Sequence, residues 1–320
     1  MTTKLVTGAA GFIGSHLCKK LLEKNDDILI GIDNFDPYYD PRIKRENIKQ
    51  LQKNNRFIFY EEDVRNKDNL MNVFKKNKVD QIIHLAARAG VRPSIENPTI
   101  YEDVNIKGTL NLLEISKTYD IENFVFGSSS SVYGINKKIP FSENDSVDKP
   151  ISPYAASKRS CELFCFTYHY LYELPVSCLR FFTVYGPCQR PEMAIHKFIR
   201  LIDNNKTIEM YGDGTTKRDY TYIDDIVDGI IKCLKKRFNF EIFNLGESKV
   251  VELRYLISLI EKELDKKAII KQLPEQPGDV PITYADISKA QKMIEYKPKT
   301  TIEQGIKKTV QWYNEYMKKR

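Results

Sequence analysis

Lys4-Leu-Val-Thr-Gly8-Ala-Ala-Gly11-Phe-Ile-Gly14 is the stretch that decides the fold. Its first four residues predict a short buried strand, and an apolar-periodic helix follows the glycines to about Lys24. In such a unit Gly8 allows a tight turn, Gly11 lets backbone N–H groups approach a pyrophosphate, and Gly14 lets the helix close on the strand. The GxxGxxG spacing therefore favours a dinucleotide cradle over a plain turn between strand and helix.

Short apolar strands alternate with helices through the first half of the chain. Further strands are predicted at residues 28–32, 56–60, 81–87 and 123–126, and a helix at about 98–118 separates the last two. This alternation predicts right-handed βαβ units, and therefore an α/β fold with a doubly wound parallel (Rossmann) sheet. In such sheets ligands bind beyond the carboxyl ends of the strands.

Several residues that suit a nucleotide follow these strand ends. Asp33 comes about 20 residues after the glycines, where it can accept both ribose hydroxyls of an adenosine and would repel a 2′-phosphate. This position favours NAD over NADP. Asp63-Val64 is placed to meet the edge and the face of an adenine. Ala86-Ala87 has small side chains, which let the backbone lie against a flat ligand.

Hydroxyl groups follow the fifth predicted strand, in Gly127-Ser-Ser-Ser-Ser131-Val-Tyr-Gly134. A helix that begins near Tyr154 then carries Tyr154-Ala-Ala-Ser-Lys158, whose tyrosine and lysine share one helix face. A cation beside a phenol favours the ionised form and lowers its pKa from about 10 toward the range of a general base. A surface tyrosine beside a solvated lysine is the alternative. The common edge with the serines and the glycine cradle favours catalysis.

The composition excludes several classes of protein. The chain has 42% hydrophobic and 29% charged residues, and no apolar run approaches the roughly 18 residues that a membrane span needs. The N-terminus lacks a signal-peptide pattern, which predicts a cytoplasmic protein. The formal charge of +7 comes from scattered lysines, so no nucleic-acid partner is predicted. The six cysteines form no CxxC pair and the four histidines no HxxxH pair, so neither a disulfide nor a metal site is predicted.

The chain resembles the extended short-chain dehydrogenase/reductases essentially from end to end. Beside the glycine turn, the matching segments are Asp63-Val64, His84-Leu-Ala-Ala87, Asn105, the Ser/Tyr/Lys set, Arg218-Asp-Tyr-Thr-Tyr-Ile-Asp-Asp225 and Pro277-Gly-Asp279. Within the nucleotide-sugar branch the chain is most similar to UDP-glucuronate 4-epimerases. The segments that carry this similarity are Asp33-Asn-Phe-Asp-Pro-Tyr-Tyr-Asp-Pro41, Ala89-Gly-Val-Arg-Pro-Ser-Ile-Glu-Asn-Pro98 and Arg180-Phe-Phe-Thr-Val-Tyr-Gly-Pro187 with Arg190-Pro-Glu-Met193.

This resemblance implies a tightly bound NAD and a reaction. Tyr154 as phenolate would remove the sugar 4-OH proton while C4 passes a hydride to NAD⁺, and Lys158 would hold the phenolate pKa down and contact the nicotinamide ribose. Ser129 would hydrogen-bond the 4-oxygen. The 4-keto sugar would turn over and take the hydride back on its other face. The implied cofactor residues are Gly8, Gly11, Phe12, Ile13, Gly14, Asp33, Asn34, Asp63, Val64, Leu85, Ala86, Ala87, Asn105, Tyr154 and Lys158.

The identity of the sugar depends on other residues. A glucuronate oxidised at C4 is a β-keto acid that can lose CO₂, so an epimerase must hold its carboxylate firmly, and an arginine fork suits both oxygens. The resemblance makes Thr183 and Arg190 the candidates, aided by Ser130 and Ser131. Many relatives that act on neutral sugars have Asn at the position of Thr183. For Arg190, a salt bridge to a loop carboxylate is the alternative.

Absent acids also discriminate between relatives. Sugar-nucleotide 4,6-dehydratases carry an Asp-Glu pair just before the Val-Tyr-Gly segment, and decarboxylating relatives a Glu, whereas this chain has Ser130-Ser131. The expected reaction is therefore conversion of UDP-glucuronate to UDP-galacturonate. The alternatives are 4-epimerisation of UDP-glucose/UDP-galactose or UDP-N-acetylglucosamine, decarboxylation of UDP-glucuronate, and a non-catalytic NAD-binding regulator.

The resemblance also implies two domains and a dimer. Residues 1–186 and about 222–246 would bind NAD, while about 187–221 and 247–320 would form a smaller α/β lobe for the UDP-sugar. In this lobe Arg218 would bind the diphosphate and Asp279 the uridine ribose. The helix from Tyr154 has aromatic residues on more than one side, and a second apolar face implies a partner. The resemblance implies that this partner is a second copy, in a homodimer where this helix and the helix of about 98–118 form a four-helix bundle. A thick C-terminal cover is the competing explanation.

Overall fold

The computed structural model describes residues 2–24, 26–274 and 282–318. Its strands are β1 (Thr3–Thr7), β2 (Ile28–Ile32), β3 (Phe57–Tyr60), β4 (Gln81–His84), β5 (Asn123–Ser129), β6 (Val176–Phe181), β7 (Thr183–Tyr185), β8 (Thr207–Tyr211), β9 (Lys217–Arg218), β10 (Tyr220–Tyr222), β11 (Phe240–Leu245), β12 (Val251–Glu252), β13 (Ile269–Leu273) and β14 (Ile282–Thr283).

Helices connect most of these strands. They are α1 (Phe12–Lys24), α2 (Pro41–Lys49), α3 (Lys67–Lys76), α4 (Val91–Glu96), α5 (Thr99–Tyr101), α6 (Gly108–Ser116), α7 (Pro153–Tyr172), α8 (Ala194–Asp203), α9 (Ile223–Leu234), α10 (Leu253–Leu264), α11 (Ser288–Ile294) and α12 (Ile302–Lys318). Two short 3-10 helices (Leu51–Lys53 and Ser130–Tyr133) and a π-helix (Glu102–Lys107) complete the set among the described residues.

The central sheet has seven strands in the order β11-β6-β5-β4-β1-β2-β3, and every neighbouring pair is parallel. The chain winds outward from β1 in both directions, so the strand order reverses between β1 and β4. This confirms the predicted α/β fold with a doubly wound sheet. The crevice at the carboxyl ends of β1 and β4 is where such a sheet binds its ligand.

Two strands end at residues other than those predicted, and both differences affect the ligand edge. Strand β4 ends at His84, whose ring contacts the Thr7 hydroxyl (2.7 Å) and the Thr109 hydroxyl (3.0 Å). Strand β5 continues to Ser129 because β6 pairs with it that far, in the register Ser129↔Phe181. The backbone therefore leaves the sheet early at β4 and carries the serines further out at β5.

The helix predicted at about 98–118 is present but is not uniform. Its middle turn, Glu102–Lys107, is π-helical and contains the buried Asn105. The Asn105 carbonyl accepts hydrogen bonds from the Thr109 hydroxyl (2.6 Å) and the Cys161 thiol (3.3 Å). Two side chains therefore hydrogen-bond a carbonyl group inside the π-helical turn. Turns of this kind are frequent at functional sites.

Helix α7 has clear start and stop signals. The Ser152 hydroxyl accepts from Ala155 N (3.1 Å) as the N-cap, and Pro153 occupies the first turn. The helix ends where Glu173 adopts a left-handed conformation with φ 54°. These signals set the position of Tyr154 at the start of the helix.

The remaining strands form three small sheets, β10-β7, β12-β9-β14 and β13-β8. The carboxylate of Asp219 connects several of these segments, because it accepts from the backbone N–H groups of Glu247 (2.8 Å), Ser248 (3.0 Å) and Ala285 (3.1 Å). Among the described residues, no helix is long and apolar enough to cross a membrane. The six cysteines are free thiols.

Candidate active site

A pocket of about 440 Å³ lies at the carboxyl edge of the central sheet. The strand-end residues line it together with the first residues of α1, α7 and the loop before α8. Of the predicted site residues, the pocket is lined by Gly8, Gly11, Phe12, Ile13, Gly14, Asp33, Asn34, Asp63, Val64, Leu85, Ala86, Ala87, Ser129, Ser130, Ser131, Tyr154, Lys158, Thr183 and Arg190.

Three predicted residues are not among those lining the pocket. Asn105 is buried behind it, where its side chain accepts from Arg88 N (2.7 Å) and donates to Arg88 O (3.0 Å) and the Ser157 hydroxyl (2.9 Å). It therefore fastens the loop after β4 to α7. Arg218 lies in β9, and one of its Nη1 hydrogen bonds is to the Lys217 carbonyl (3.0 Å). Asp279 lies outside the described residues.

The glycine turn is closely packed on its inner side. Gly8 has φ +70°, and a Cβ there would lie 2.8 Å from Ala86 N. A Cβ at Gly14 would lie 2.0 Å from the Gly8 carbonyl oxygen, so only glycine lets α1 close on the turn. Gly11 N donates to the same oxygen (3.0 Å). The turn presents the N-terminus of α1 to the pocket, which can hold a phosphate group.

Asp33 is buried at the end of β2 and accepts from Ala10 N (3.1 Å) and Phe35 N (2.9 Å). Burial raises the pKa of its carboxyl group, whereas the nearby Lys44 ammonium (3.9 Å) and these backbone N–H groups oppose that rise. Lys44 belongs to the basic helix α2. The carboxylate keeps lone pairs free for ribose hydroxyls.

Asp63 is held on the other side of the same nucleotide region. It accepts from the Asn34 amide (2.8 Å) and from Nη2 of Arg65 (2.7 Å). Burial raises the pKa of its carboxyl group, but the Arg65 and Asn34 hydrogen bonds outweigh this effect and hold the pKa below its usual range. The hydrogen bond between Asn34 and Asp63 therefore fixes both side chains relative to each other at the pocket rim.

Tyr154 and Ser129 lie close together in the lining of the pocket. Burial raises the pKa of the Tyr154 phenol, while a hydrogen bond with the Ser129 hydroxyl and the positive charge of Arg190 lower it. The Ser129 hydroxyl oxygen also lies 3.1 Å from the Ser131 hydroxyl oxygen and accepts from Ser131 N (3.2 Å). The turn after β5 thus positions the hydroxyl that contacts the phenol.

Lys158 is buried one helical turn after Tyr154. Its ammonium group donates to the carbonyl oxygen of Gly127 (2.7 Å) and lies 4.7 Å from the centre of the Phe126 ring. Burial lowers the pKa of this ammonium group. That Lys158 lowers the pKa of the Tyr154 phenol stays a prediction, beside the lowering effects of Ser129 and Arg190.

Arg190 and Thr183 line the same pocket. Nη1 of Arg190 forms a salt bridge with Glu192 (3.1 Å), and its Nη2 contacts the Met193 sulfur (3.3 Å). Thr183 N donates to Asp219 O (3.1 Å), which fixes the backbone at the start of β7. Arg190 therefore both lines the pocket and pairs with a loop carboxylate.

The sequence interpretation missed two groups around the pocket. The Arg88 guanidinium forms a salt bridge with Asp36 and lies 4.4 Å from the centre of the Tyr38 ring. Beneath the site, buried Arg180 forms a two-pronged ion pair with buried Glu162. The first pair could have been suspected from the aspartates and tyrosines of residues 33–41. For the ion pair between Arg180 and Glu162, the sequence contains one indication, which is an arginine inside an apolar strand.

The acids that line the pocket among the described residues are all near the nucleotide end. They are Asp33, Asp36, Glu62 and Asp63. The pocket is also lined by Ser128–Ser131, Lys158, Thr183 and Arg190, none of which is an acid. The described residues contain no group of His, Cys, Asp and Glu suited to hold a metal ion. The site can therefore move a proton through a phenol and bind an anion, but it presents no acid pair beside the phenol.

The comparisons with known proteins agree with this geometry. The family model for GDP-mannose 4,6 dehydratase matches residues 5–309. The chain is 52% identical to an uncharacterized protein of Methanocaldococcus jannaschii, with 97% of this chain and 96% of that protein covered. It is 46% identical to UDP-glucuronate 4-epimerase from Thermodesulfobacterium geofontis, with the same coverage. A solved structure of UDP-glucuronic acid 4-epimerase from Bacillus cereus, in complex with UDP-glucuronic acid and NAD, is 39% identical with a TM-score of 0.93 and covers 98% of this chain and 100% of that chain.

Proposed function

Because the chain belongs to the GDP-mannose 4,6-dehydratase family, within the extended short-chain dehydrogenase/reductases, we propose that it is an NAD-dependent UDP-glucuronate 4-epimerase. The reaction inverts C4 of UDP-glucuronate through a transient 4-keto sugar and gives UDP-galacturonate without net redox. The observation that carries the proposal is that Thr183 and Arg190 line the same pocket as Ser129, Tyr154 and Lys158.

The residues of the cradle fit NAD. Glycine at positions 8 and 14 keeps the N-terminus of α1 open, so backbone N–H groups can hold the pyrophosphate. Asp33 would accept the adenosine ribose hydroxyls, and Asp63 and Val64 would meet the adenine. When bound, NAD supplies the acceptor that takes up the C4 hydrogen as hydride and later returns it.

Tyr154 is the proposed base for the sugar 4-hydroxyl. Its phenol must be ionised to take the proton, and the Ser129 hydrogen bond and the Arg190 charge favour that form against the effect of burial. Ser129 would hold the same oxygen while it becomes a ketone and then an alcohol again. Lys158, one turn along α7, would add a buried positive charge that is held at the end of β5 by the Gly127 carbonyl.

The carboxylate of the sugar requires a firm hold. Once C4 is a ketone the sugar is a β-keto acid, and it loses CO₂ when the breaking C–C bond aligns with the carbonyl π system. Arg190 would bind the carboxylate, with Thr183, Ser130 and Ser131 as further donors. This grip keeps the carboxylate from the aligned position.

Dehydration and decarboxylation fit the pocket less well. Removing water from the C5–C6 bond needs an acid and a base close to the reacting carbons. The turn after Ser129 has Ser130 and Ser131 there, and the acidic lining residues of the described chain lie near the nucleotide end. The phenol of Tyr154 is the titratable acid–base group beside the sugar.

A neutral UDP-sugar is the second candidate substrate, either glucose/galactose or N-acetylglucosamine. The observation that favours it is the salt bridge between Arg190 and Glu192, which already gives the guanidinium a carboxylate partner in this structure. The Glu192 side chain is 39% exposed, and ion pairs that remain accessible to water contribute roughly 0.2–1 kcal/mol. A substrate carboxylate that is excluded from water in the pocket would therefore outcompete Glu192, which is why the acidic sugar is preferred.

We assign the two ligands to the two predicted domains. Residues 1–186 and about 222–246 would bind NAD, and about 187–221 and 247–320 would bind the UDP-sugar. The segment of about 222–246 contains strand β11. Because β11 is the edge strand of the central sheet, it supports assigning this segment to the NAD-binding part. Arg218 is the proposed ligand of the diphosphate, and Asp279 that of the uridine ribose.

We also propose that the protein is a cytoplasmic homodimer. Helix α7 keeps an apolar face exposed, with Leu163, Phe166 and Tyr170 outward, and Ile95 of α4 is exposed as well. In the described part of the chain no C-terminal element covers these side chains, which speaks against a thick C-terminal cover. The exposed face supports pairing of α7 with a second copy through a four-helix bundle.

Incubation with a panel of UDP-sugars tests the function. The products are separated, their C4 stereochemistry is read by NMR, and released CO₂ is trapped. The expected result is interconversion of UDP-glucuronate and UDP-galacturonate with little CO₂ and little turnover of neutral sugars. The matched variant Tyr154→Phe should lose turnover while keeping its bound NAD. Turnover of neutral sugars alone would replace the proposed substrate, and full activity of Tyr154→Phe would remove the mechanism.

A further inference from the structure

A buried ion pair lies beneath the pocket, outside the residues that line it. Glu162 of α7 and Arg180 of β6 are each 1% exposed. Nε and Nη2 of Arg180 donate to the two carboxylate oxygens of Glu162, both at 2.9 Å. The Ser128 hydroxyl donates to the same carboxylate (2.6 Å), and so does Arg159 from the outer side (3.2 Å).

Stability alone is a poor explanation for this pair. Removing two charges from water is costly, and a well-packed apolar pair of similar volume is often as stable or more stable. The pair nevertheless has a specific geometry, because the guanidinium fork matches both carboxylate oxygens. Buried ionic groups are retained in some proteins because they specify one arrangement of the chain.

The position of the pair indicates which arrangement it specifies. Two consecutive residues of β5 form hydrogen bonds with α7: Gly127 O accepts from Lys158, and the Ser128 hydroxyl donates to Glu162. The next residue, Ser129, lines the pocket together with Tyr154 of α7. Arg180 stands directly opposite Ser128 in the β5–β6 register. A shift of α7 along β5 would break both hydrogen bonds and displace Tyr154 from Ser129.

The pair also reaches the turn that carries the other serines. The Arg180 guanidinium lies 4.9 Å from the centre of the Tyr133 ring, at the end of the 3-10 turn Ser130–Tyr133. The Tyr133 hydroxyl donates to the Asn244 side chain (2.7 Å) in β11. Arg180 thus contacts the support of the turn as well as α7.

We infer that the Glu162–Arg180 pair is a positioning device that locks α7 against β5 and so keeps Ser129, Tyr154 and Lys158 in one reactive arrangement. The inference rests on the proposed roles of those three residues. It assigns no contact with substrate or cofactor to the pair itself. Its effect should therefore appear in kcat, while KM and NAD binding change little.

The main variant is the double replacement Glu162→Leu/Arg180→Met, which keeps volume and removes both charges. We expect a melting temperature close to that of the wild type, retained NAD, and a kcat at least ten-fold lower. Arg180→Lys, which keeps the charge and loses the fork, should recover part of kcat. A folded double variant with kcat within two-fold of the wild type would overturn the inference, as would a loss of kcat that only follows a loss of bound NAD or of folded protein.

If the double variant does not fold, Ser128→Ala tests the positioning role instead, because it removes a single hydrogen bond between the ion pair and β5. Its kcat should fall several-fold with an unchanged melting temperature, and an unchanged kcat would contradict the inference. Arg159→Gln is the matched control, since Arg159 contacts the same carboxylate but connects it to neither strand.

Hydrogen exchange measured by mass spectrometry gives a readout that needs no activity. The Ser128→Ala variant and any folded form of the double variant should exchange faster at residues 127–131 and 153–163 than Arg159→Gln. Unchanged exchange there would refute the positioning role even if the protein proved to have another substrate. Faster exchange in these variants, together with a wild-type protein that turns over no UDP-sugar, would instead place the failure in the proposed function.

Discussion

At the residue scale, the environment of Tyr154 gives a pH prediction. Burial raises the pKa of the phenol, and the hydrogen bond with Ser129 lowers it. Ser129→Ala should therefore raise the pKa further. Because the phenolate is the active form, the rise of kcat/KM with pH should move to higher pH in the variant, and kcat/KM at pH 7 should fall. The measurement is a kcat/KM profile from pH 6 to 10.

Retained NAD in Ser129→Ala is the control that the site remains formed. A lower rate with the same midpoint would mean that Ser129 acts only on the sugar oxygen. In that case the phenol would owe its ionisation to Arg190 and to the positive charges around the cofactor. The profile therefore separates two roles that a single activity value would merge.

The charge on Arg190 gives a selectivity prediction. Arg190→Ala should weaken binding of UDP-glucuronate by about 10- to 100-fold, the loss of a charge-assisted hydrogen bond pair worth roughly 1.5–3 kcal/mol, and should leave UDP-glucose within about three-fold. Calorimetric titration of both ligands measures this difference. Glu192→Gln is the matched control, because it removes the loop partner and leaves the guanidinium. Equal losses for both sugars would contradict the carboxylate clamp.

Sequence spacing predicts which residues line the site better than it predicts which groups they hydrogen-bond. The helix period places Tyr154 beside Lys158, and the parallel sheet places the serines on the same edge, which the pocket lining matches. Spacing contains nothing about the Gly127 carbonyl, 31 residues from Lys158, which accepts the ammonium hydrogen bond. The same limit hides the salt bridge between Asp36 and Arg88, whose partners are 52 residues apart.

At the element scale, the apolar runs and the turn residues between them predict where the strands lie, whereas tertiary contacts determine where the strands end. Strand β4 stops at His84 because the imidazole is fixed between Thr7 and Thr109, and burial lowers its pKa to about 3. A neutral ring is the form that suits two hydroxyl partners. The apolar residues that follow His84 read as strand in the sequence, since their pattern does not show this contact.

Helix α7 carries the prediction that belongs to this scale. The exposed side chains of Leu163 (51%) and Tyr170 (76%) lie on its outer face. The double variant Leu163→Lys/Tyr170→Lys should therefore turn a dimer into a monomer, because a stable interface buries roughly 800 Å² per partner and tolerates unpaired charges poorly at its centre. Light scattering after size exclusion measures the mass.

Ile269→Lys is the matched control for this face. Ile269 is similarly exposed but lies on β13, away from α7, so its variant should keep the mass of the wild type. A wild-type protein that is a monomer at micromolar concentration would contradict the dimer. Loss of the dimer in both variants would show that added charge, rather than the α7 face, is responsible.

At the scale of the whole molecule, Asp219 holds the segments after β11 and around β14 to β9 and β10, and Glu247 lies within this junction. Burial, followed by the charges of Asp225 and Asp219, raises the pKa of the Glu247 carboxyl to about 7 against the pull of Lys249. The sequence predicted a second lobe, but it could not predict this junction, because its carboxylates come from segments far apart in the chain.

The sign of the pH effect follows from this raised pKa. The folded protein holds the Glu247 proton more tightly than the unfolded chain, whose carboxyl has a pKa near 4.5. The free energy of unfolding should therefore lose this contribution as pH rises from about 4.5 to about 7 and stay lower above that. Glu247→Gln removes the cost, so the variant should be more stable than the wild type at pH 8, by on the order of 1 kcal/mol after allowance for solvent screening.

Thermal unfolding at pH 5 and pH 8 measures this difference. The melting temperature of Glu247→Gln should exceed that of the wild type by a few degrees at pH 8, and the gap should shrink at pH 5, where folded Glu247 is protonated. Glu209→Gln, a change at an exposed residue of β8, is the control for the loss of a charge. A gap that is equal at both pH values would mean that Glu247 stays ionised in the folded protein, and the junction would then need a counter-charge closer than Lys249.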